Sequence, residues 1–486
     1  MRISEHPILT FRRGREIRFQ LDGREFVGRE GESIAAALHA AGVRVLRRSL
    51  RLGRPRGFFC AIGRCSSCLM TVDGVPNVMT CVTPLREGMR VVTQTGKGTL
   101  PSPGAHLRAE GEALPEDLGS VPLAIVGAGP AGLSAAQSAG RLGVRSVVLD
   151  ENDVPGGQLI KQTHMFFGSR EHYARVRGID IGRKLVGELE GLPVTLHAGA
   201  TVLGLYADNV LSVLKGGRHS RLAAGAVVLA TGASENALAF ENCDLPGVYG
   251  AGAVQTLMNV HGVVPGRRVL MVGAGNIGLI VTYQLLQAGV EVACVIDAAP
   301  EIGGYHVHAA KIRRAGVPVL TSTTVLRALG ADRVEGAEIC AVGADWEPLR
   351  GSERTVEADT ICLAVGLTPN CELAFQAGCA QTGVPELGGW VATHDEDLMT
   401  AVPGVFVAGD ASGIEEASTA MLEGRLAGIA AAEFLRPDLD REEVRRLKDE
   451  VRSGLRDLRA GPFGERPREG KRRMLESWKR EAAARR

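Results

Sequence analysis

Four cysteines near the N-terminus have the spacing of an iron–sulfur ligand set. Cys60, Cys65, Cys68 and Cys81 follow the order C-x4-C-x2-C-x12-C, which is the plant-type spacing for a [2Fe–2S] cluster, a carrier of single electrons. Zinc is the alternative metal, although structural zinc sites usually pair two C-x2-C segments. Unligated thiols are the third interpretation. The spacing favours a [2Fe–2S] cluster held by these four thiolates.

Two glycine-rich turns have the spacing of dinucleotide-binding sites. The glycines stand at Gly127, Gly129 and Gly132 in the first turn and at Gly273, Gly275 and Gly278 in the second. The first glycine of such a motif makes the turn, the second lets the backbone approach a pyrophosphate, and the third allows close helix–strand packing. An acid follows each motif, Asp150 or Asp297, at the expected end of the next strand. The chain therefore combines a one-electron centre with two dinucleotide folds.

The elements around the cysteines predict a small β-grasp domain. Alternating apolar residues over 16–27, with a turn at Asp22-Gly23, predict a hairpin. An alanine-rich helix is predicted over 33–41, ended by Gly42. A second hairpin is predicted around residues 69–75, after the ligand loop. The order of hairpin, helix, ligand loop and hairpin places the cysteines on a compact scaffold.

The glycine-rich turns lie in an internal repeat. In the first copy a strand over 123–126, a helix over 131–142 and a strand over 146–149 are predicted. The same order recurs at 269–272, 277–287 and 292–296. This pattern predicts two Rossmann-like βαβ units, each with the pyrophosphate at a helix N-terminus.

Composition narrows the class of protein. A chain of 486 residues predicts roughly three domains, and a net charge of +1 gives no field that would attract nucleic acid or acidic lipid. Ten cysteines, four of them at ligand spacing, favour a reducing compartment, so we expect a cytoplasmic protein. No signal peptide and no apolar run of the roughly 18 residues that a spanning helix needs is apparent.

The N-terminal module resembles a known ferredoxin-like module. The segments 47–49, 53–60 and 71–77, including the Arg/Gly/Pro loop before Cys60, resemble the small iron–sulfur subunit of hydrogen cyanide synthase and of related opine, proline and hydroxyproline dehydrogenases. The resemblance covers about residues 15–95. The basic loop has three interpretations: it helps to set the reduction potential of the cluster, it contacts a partner, or it is a solvated loop.

The region from about residue 120 to 435 resembles flavoproteins with two dinucleotide-binding domains, such as thioredoxin reductase. The resemblance rests on Gly156-Gly157-Gln158-Leu159, Ala230-Thr231-Gly232 and the segment 405–410. It implies FAD in the first fold, with Asp150 on the adenosine ribose, Gly409 and Asp410 at the ribityl and pyrophosphate region, and Ser418 and Thr419 under the flavin ring. The FAD residues that it implies are Gly127, Gly129, Ala131, Gly132, Asp150, Glu151, Gly157, Gln158, Val202, Ala230, Thr231, Gly232, Gly409, Asp410, Ser418 and Thr419.

The second fold is expected to be an NAD-type domain. Asp297 favours an unphosphorylated ribose, and no arginine follows directly to bind a 2′-phosphate. By resemblance to the α chains of sarcosine oxidase and of archaeal proline dehydrogenases, NAD(H) or ATP is the expected occupant, with or without hydride exchange. The residues implied are Gly273, Gly275, Asn276, Ile277, Gly278, Asp297 and Gly366.

The predicted fold class is α/β. Its segments are a β-grasp ferredoxin-like [2Fe–2S] domain (1–95), a linker (96–119), the first part of an FAD domain (120–265), an inserted NAD-type domain (266–365), the second part of the FAD domain (366–435) and a charged helical tail (436–486). The tail is interpreted as a solvated helical pair or as a docking segment for another subunit.

The expected function is the α-type electron-transfer subunit of a heteromeric FAD-dependent amine or amino-acid dehydrogenase. Its partner would be a flavoprotein subunit of the D-amino-acid-oxidase type, with a small ferredoxin-like subunit or another one-electron acceptor downstream. The sequence carries no dithiol motif of disulfide reductases and no nucleophile or acid–base constellation, so no catalytic residue is assigned. The alternatives are a self-sufficient NAD(H)-dependent FAD/[2Fe–2S] oxidoreductase and a structural subunit with vestigial nucleotide sites.

Overall fold

The architecture is taken from a computed structural model, which describes residues 1–99, 114–167 and 169–484. Residues 100–113, which make up most of the predicted linker, lie outside the described residues. Among the residues described, no helix combines the length and the apolar character needed to cross a membrane.

The described residues before 100 form a small mixed sheet with one helix. The elements are β1 (Glu16–Leu21), β2 (Arg24–Arg29), α1 (Ile34–Ala40), β3 (Arg47–Arg48), β4 (Pro55–Arg56), β5 (Leu69–Val72), β6 (Val75–Met79) and β7 (Arg90–Val92). Five strands make one sheet in the order β2-β1-β7-β5-β6, and β3 and β4 form a separate hairpin. Strands β1 and β7 run parallel in the sheet. This is the predicted β-grasp arrangement.

Turn and cap residues set the limits of these elements. Asp22 and Gly23 have φ of 49° and 79°, the left-handed conformation that a two-residue hairpin turn requires. Ser33 caps α1, because its Oγ accepts a hydrogen bond from the Ala36 N–H at 3.2 Å. Gly42, with φ of 93°, follows the helix. The predicted hairpin and helix are confirmed.

The next part of the chain builds most of a larger sheet. Its elements are β8 (Asp117–Val126), α2 (Pro130–Arg141), β9 (Ser146–Leu149), α3 (Gly178–Gly187), β10 (Val194–His197), β11 (Thr201–Tyr206), β12 (Val210–Lys215), β13 (Arg218–Leu229) and β14 (Ala233–Glu235). Six of these strands are ordered β10-β9-β8-β13-β12-β11. Strands β8 and β9 are parallel and connected through α2, which confirms the first βαβ unit. Strand β8 begins inside the predicted linker.

The second βαβ unit stands in a parallel sheet of its own. The elements are β15 (Val248–Gly250), α4 (Ala251–Gln255), β16 (Arg268–Val272), α5 (Asn276–Gln287), β17 (Glu291–Ile296), α6 (His306–Arg314), β18 (Val319–Leu320), β19 (Thr323–Leu329), β20 (Gly336–Ala341), β21 (Arg354–Val356) and β22 (Thr360–Leu363). The parallel sheet has the order β15-β22-β16-β17-β18, and β19, β20 and β21 form an antiparallel sheet. The predicted internal repeat is confirmed.

The last part of the chain ends in three long helices. The elements are β23 (Leu367–Pro369), α7 (Glu372–Gln376), β24 (Gln381–Val384), β25 (Gly389–Ala392), β26 (Val405–Val407), α8 (Ala417–Leu435), α9 (Arg441–Leu458) and α10 (Glu465–Ala484). Strand β26 joins the larger sheet parallel to β13. Strands β24 and β25 form a hairpin, and β14 pairs with β23.

The chain divides into two compact units. One contains the described residues within Met1–Leu107 and Glu235–Gly366, and the other those within Arg108–Ser234 and Leu367–Arg486. Residues 235–265, placed in the FAD segment from sequence, fall in the first unit because β15 pairs with β22. In that unit the β-grasp sheet and the parallel sheet share one hydrophobic core, which joins Phe19 and Leu38 to Val269 and Leu279.

Candidate functional site

The four predicted cluster ligands lie together. Cys60, Cys65 and Cys68 stand in the loop between β4 and β5, and Cys81 follows β6. Cys60 contacts Cys65 and Cys81, and Cys68 contacts Cys81. Hydrogen bonds from Cys65, from Cys81 and then from the loop backbone lower the pKa of the Cys60 thiol. The same hydrogen bonds raise the pKa of the Cys65 and Cys81 thiols, which donate them, so they favour the thiolate, the form that binds metal, at Cys60.

The ligand loop is tightly wound. Ala61, Gly63 and Ser66 all have positive φ, at 57°, 70° and 52°. Thr80 Oγ1 donates a hydrogen bond to the Cys68 carbonyl oxygen at 2.7 Å and so ties the loop to the segment that carries the last ligand. In the described part of the chain, no three His, Cys, Asp or Glu side chains are arranged to hold a single metal ion. The four thiols form one continuous chain of contacts, and the C-x4-C-x2-C spacing of the loop is that of a [2Fe–2S] ligand set.

The basic loop before Cys60 anchors the cluster module within its own unit. Arg54 makes a bidentate pair with Asp244, at 2.8 Å from Nε to Oδ2 and 2.6 Å from Nη2 to Oδ1. Arg56 donates to the same carboxylate at 2.5 Å. Burial by itself would raise the pKa of Asp244, but the two guanidinium groups outweigh it and lower that pKa. The Gly250 N–H donates to the Phe59 carbonyl oxygen at 3.1 Å, so the residue before the first ligand is fixed to β15.

A buried histidine continues this contact. His39 in α1 donates from Nε2 to the carbonyl oxygens of Pro265 at 3.0 Å and Val264 at 3.2 Å. Its ring packs near Phe58 and Tyr249, with centroids 6.2 and 5.8 Å away. Burial lowers the pKa of His39 to about 3, so it is neutral near pH 7. The module is therefore joined to the parallel-sheet domain by ion pairs and by a packed aromatic cluster.

The first glycine-rich turn lies at the end of β8. Gly127 has φ of 104°, and a Cβ there would lie 2.3 Å from the Ala230 carbonyl oxygen. A Cβ on Gly132 would lie 1.8 Å from the Gly127 carbonyl oxygen. Gly129 is the N-cap of α2, and the nearest atom to a Cβ there is the Gly157 Cα at 3.9 Å. The helix N-terminus, whose first N–H groups attract anions, therefore has room before it.

The two acids after β9 have different environments. Asp150 is buried; its Oδ2 accepts the Ala128 N–H at 2.5 Å, and its Oδ1 accepts the Asn152 N–H at 2.8 Å. The Asn152 side-chain amide donates to the same oxygen at 2.9 Å. Glu151 is exposed. Asp150 therefore ties the glycine-rich turn to the strand end, and Glu151 is the acid whose side chain reaches solvent.

The Gly-Gly turn crosses the start of α2. The Gly156 N–H donates to the Ala128 carbonyl oxygen at 2.8 Å. Gly157 has φ of 54°, and a Cβ there would lie 2.7 Å from the Gly129 Cα. Gln158 follows on the exposed side. Gly157 therefore borders the space before the helix N-terminus, and Gln158 is the next residue along the chain.

Two other predicted segments reach the same region. The Ala230 N–H donates to the Val126 carbonyl oxygen at 2.9 Å. Thr231 Oγ1 donates to the Asn370 carbonyl oxygen at 2.8 Å, and the Asn370 N–H donates to the Gly232 carbonyl oxygen at 3.0 Å. Ala200, directly before β11, donates its N–H to the Asp150 carbonyl oxygen at 2.7 Å, and Val202 lies two residues beyond this contact.

The Gly409–Asp410 turn packs against α2. Gly409 has φ of 69°, and a Cβ there would lie 2.8 Å from the Ala131 Cβ. Asp410 follows in a 3₁₀ turn over Gly409–Ser412. Ser418 and Thr419 are buried in the first turn of α8. The predicted FAD residues around the first turn are thus gathered about the start of α2.

Close helix packing holds this arrangement. A Cβ on Gly424 would lie 2.0 Å from the Ala131 carbonyl oxygen, and a Cβ on Gly428 would lie 2.3 Å from the Ala135 carbonyl oxygen. The backbones of α2 and α8 are therefore in direct contact. These two glycines were not predicted from the sequence, although their four-residue spacing on one helix face was a usable signal.

The second glycine-rich turn repeats the geometry of the first. Gly273 has φ of 111°, and a Cβ there would lie 2.2 Å from the Ala364 carbonyl oxygen. A Cβ on Gly278 would lie 1.9 Å from the Gly273 carbonyl oxygen, and Gly275 is the N-cap of α5. Asp297 accepts the Ala274 N–H at 2.6 Å. This acid anchors its turn as Asp150 does.

A second Gly-Gly turn extends the repeat. Gly303-Gly304 follow Asp297 at the spacing with which Gly156-Gly157 follow Asp150, and the Gly304 N–H donates to the Ala274 carbonyl oxygen at 3.0 Å. Asn276 Oδ1 accepts the Tyr305 N–H at 2.8 Å. This turn was not predicted, and aligning the two copies of the repeat beyond the acids would have found it.

The remaining predicted residues of the second fold take different positions. Ile277 is in the first turn of α5 and is exposed. Gly366 has φ of 111°, and its carbonyl oxygen accepts the Asn236 N–H at 3.0 Å. Ala298 stands where Glu151 stands in the first copy.

The six other cysteines are free thiols. Five are buried, and burial raises their pKa: Cys294, Cys340, Cys362, Cys371 and Cys379. Cys243 is partly exposed. Raised pKa values disfavour the reactive thiolate, in line with their interpretation as small buried residues.

Two family models match the chain. Residues 121–424 match the model described as pyridine nucleotide-disulphide oxidoreductase. Residues 14–96 match a 2Fe-2S iron-sulfur cluster binding domain. The first match contains both glycine-rich turns, and the second contains all four clustered cysteines.

Curated relatives and a solved structure align over most of the chain. The alpha subunit of sarcosine oxidase from Rhizobium meliloti (strain 1021) is 28% identical over 470 residues, 84% of this chain and 45% of the relative. An opine oxidase subunit from Agrobacterium tumefaciens (strain Ach5) is 32% identical over 367 residues, 70% of this chain and 71% of the relative. The crystal structure of L-proline dehydrogenase from P. horikoshii has a TM-score of 0.71 at 24% identity, covering 92% of this chain and 79% of that one. The chain thus spans less than half the length of the sarcosine oxidase relative.

Proposed function

Because the chain belongs to the pyridine nucleotide-disulphide oxidoreductase family and carries an N-terminal 2Fe-2S domain, we propose that it is the electron-transfer subunit of a heteromeric amine or amino-acid dehydrogenase. Its role is to relay electrons between FAD and the [2Fe–2S] cluster. The substrate class is secondary amines and amino acids of the proline, hydroxyproline, sarcosine, opine or glycine type.

Several predictions from the sequence are confirmed by the comparisons. The fold class is α/β, with an iron–sulfur domain before a Rossmann-type flavoprotein region. The chain is an FAD-dependent oxidoreductase, its cofactors are FAD and a [2Fe–2S] cluster, and its relatives include subunits of sarcosine oxidase and opine oxidase.

One observation supports the proposal: a single chain combines a glycine-lined helix N-terminus that suits FAD with four converging cysteines, and its sequence has no dithiol motif. In place of a redox pair after the Gly-Gly turn, the sequence reads Gln158-Leu159-Ile160-Lys161. FAD, when bound, accepts electrons in pairs and releases them singly, and an iron–sulfur cluster accepts them one at a time. The combination suits a converter between amine oxidation and a one-electron acceptor.

The FAD contacts that we propose begin at the first glycine-rich turn. The pyrophosphate lies before the N-terminus of α2, bordered by Gly129 and Gly157, because neither position leaves a side chain in that space. The resemblance implied Asp150 as the ligand of the adenosine ribose, but we assign this role to the exposed Glu151. The Asp150 oxygens already accept three hydrogen bonds, one from the Ala128 N–H and two from Asn152. Asp410 faces the ribityl region.

We propose further cofactor contacts at the start of α8 and in the second fold. The first turn of α8, with Ser418 and Thr419, supports the flavin ring, and the helix N-terminus there stabilises negative charge on the reduced ring. The second fold binds NAD(H) or ATP before the N-terminus of α5, at Gly275 and Asn276. Asp297 holds that turn in place through its hydrogen bond from the Ala274 N–H.

The partner that completes the enzyme is a flavoprotein subunit of the D-amino-acid-oxidase type. It takes hydride from the substrate carbon next to nitrogen, and the electrons pass to this chain. The test is to purify the chain with the subunit that accompanies it in its host and to add single amines anaerobically. The proposal expects one amine to bleach the flavin absorbance of the complex and not of the chain alone.

The second candidate function is a self-sufficient NAD(H)-dependent oxidoreductase, favoured by the intact geometry of the second glycine-rich turn. Adding NADH anaerobically to the isolated chain distinguishes the two candidate functions. Rapid loss of flavin absorbance with NADH, together with no response of the complex to any amine, would contradict the proposed function. Purification without flavin and without iron would leave only a structural role.

A further inference from the structure

The C-terminal tail is part of the unit that contains the FAD cradle. Val444, Val451 and Leu455 of α9 are buried in the core beneath α2 and α8, and Met474 of α10 lies in a smaller core with Leu387. The tail is therefore packed on the unit as well as solvated. Its charged residues include two lysines with buried side chains, Lys448 and Lys471, and the contacts of Lys471 point to a specific role.

Lys471 of α10 reaches the 3₁₀ turn that carries the flavin motif. Its side chain is 7% exposed. Its Nζ donates to Ser412 Oγ at 2.6 Å, to the Ser412 carbonyl oxygen at 3.0 Å and to Glu423 Oε1 at 2.7 Å. All three N–H donors of the ammonium group are used, and two of them donate to Ser412, the residue that ends the turn Gly409–Ser412.

Glu423 of α8 connects this lysine to the start of the turn. Its side chain is 3% exposed, and its Oε2 accepts the Gly409 N–H at 3.0 Å. Arg459, at the end of α9, donates to Glu423 Oε1 at 2.6 Å. Arg459 also forms a bidentate pair with Glu415 at 2.9 and 2.5 Å. Both ends of the turn are thus held by buried charged groups.

The hydrogen-bond directions in the network are determined. Because Lys471 donates to Ser412 Oγ, the Ser412 hydroxyl hydrogen is available for His394 Nε2, 2.8 Å away. His394 then donates from Nδ1 to the Asp395 carbonyl oxygen at 2.7 Å. This requires a neutral imidazole, and burial followed by the charge of Lys471 lowers the pKa of His394 to about 4. Each member therefore has a partner.

We propose that Lys471 and Arg459 of the C-terminal helices are positioning residues of the FAD site, which fix the Gly409–Ser412 turn through Ser412 and Glu423. The inference rests on the proposed FAD site. The network balances the carboxylates of Glu415 and Glu423 with two cations. Loss of one cation leaves an excess buried negative charge, which is more costly than removing one charge of each sign. Loss of the lysine should therefore displace the turn, and loss of both charges should restore much of it.

The matched control is another buried lysine in the same tail. Lys448 of α9 is also 7% exposed and pairs with two carboxylates, Asp397 at 2.9 Å and Glu433. Glu433 lies near the end of α8, about three turns along the helix from Glu423. Lys448→Met should therefore lower stability as Lys471→Met does, without moving the flavin turn.

The experiment uses the full chain with its cluster intact. FAD dissociation constants are measured by flavin fluorescence, and unfolding temperatures by differential scanning fluorimetry, for Lys471→Met, Lys448→Met and the double variant Glu423→Gln/Lys471→Met. We expect Lys471→Met to raise the FAD dissociation constant by about tenfold or more, a loss of roughly 1.4 kcal/mol. We expect Lys448→Met to leave that constant within about twofold, and the double variant to recover most of the lost affinity.

Three results would overturn the inference. The first is an unchanged FAD dissociation constant in Lys471→Met. The second is an equal loss of affinity in both lysine variants, which would make the tail a general stabiliser. The third is a double variant that binds FAD more weakly than Lys471→Met. If Lys471→Met fails to fold, Arg459→Lys gives the same comparison, because a single ammonium cannot hold Glu415 and Glu423 in the bidentate geometry. A wild-type chain that binds no FAD would instead contradict the proposed function.

Discussion

Replacing Gly428 by alanine tests whether the contact between α2 and α8 sets the geometry of the FAD cradle. Alanine normally stabilises a helix interior by about 1 kcal/mol relative to glycine. Here its Cβ would lie 2.3 Å from the Ala135 carbonyl oxygen and 2.9 Å from the Ala135 Cα. An ordinary carbon–oxygen contact is at least about 3.3 Å, so the helices must separate by roughly 1 Å. The obstacle is backbone, which no rotamer change can relieve.

The magnitude follows from these two opposing effects. Overpacking costs about 1–3 kcal/mol, and a clash with backbone falls in the upper part of that range, about 2–3 kcal/mol. Subtracting the helix-propensity gain of about 1 kcal/mol leaves a net loss of stability. We expect Gly428→Ala to destabilise the second unit by roughly 1–2 kcal/mol and to lower the unfolding temperature by about 2–8 °C. Because the start of α2 then moves away from Gly409, the FAD dissociation constant should rise about tenfold.

The assay compares Gly428→Ala with Gly187→Ala. Gly187 is the last residue of α3, exposed, and a Cβ there has no atom within 4 Å. Its replacement should leave FAD affinity unchanged and raise stability by up to about 1 kcal/mol. Unfolding temperature and flavin fluorescence are measured on both variants. A Gly428→Ala chain that is as stable as the Gly187→Ala chain and binds FAD like the wild type would show that the contact between α2 and α8 does not set the geometry of the FAD site.

Three further outcomes follow from the geometry. Asp244→Ala removes the carboxylate that pairs with two arginines and should destabilise the first unit by about 2 kcal/mol in chemical denaturation. The control is Glu357→Ala, which removes an 86% exposed partner of an ion pair and should have no measurable effect on stability. Equal effects of the two substitutions would contradict the role of Asp244 as an anchor of the basic loop. Burial, followed by nearby carboxylates, raises the pKa of Asp410 to about 7, so the folded, flavin-free chain holds this proton more tightly than the unfolded one and loses stability as pH rises from about 4 to 7. Asp410→Asn should remove that decline in unfolding temperature, and a parallel pH profile in both chains would contradict it. Gly304→Val places a side chain 2.8 Å from the Asn276 nitrogen and should abolish nucleotide retention at the second fold, measured by chromatography after denaturation, while FAD content stays the same; undiminished retention would contradict the assignment.

The local elements were predictable because their signals are local. Asp22-Gly23 as a turn and Gly42 after the first helix each determine the end of an element within a few residues of themselves. The cysteine spacing likewise identified its ligand loop. Such positions depend on backbone conformation and hydrogen bonds between neighbours, which a sequence displays directly.

Long-range contacts were not predictable in the same way. Lys471 stands in a tail of high charge, where most residues are solvated, and nothing near it in sequence shows that its ammonium group meets Ser412 and Glu423. The role of Asp150 was also only half visible. Its place at the strand end indicated a functional acid, but its hydrogen bond to the Ala128 N–H depends on the return of the glycine-rich turn.

The assignment of segments to units shows the same limit. The pairing of β15 with β22 joins residues more than one hundred positions apart, and periodicity carries no record of strand partners. Arg54 and Arg56 were recognised as a basic loop, yet their common partner Asp244 is far along the chain. Ion pairs of this kind follow from topology and could be identified only from the folded structure.

The proposed function depends on electron transfer between FAD and the cluster within this chain. It is tested most directly by anaerobic stopped-flow mixing of the fully reduced chain with oxidised cytochrome c, a one-electron acceptor, in the wild type and in Cys65→Ser. We expect Cys65→Ser to retain FAD, to lack the cluster absorbance and to reoxidise its flavin at least about tenfold more slowly than the wild type. Flavin reoxidation at the same rate in both chains would contradict it.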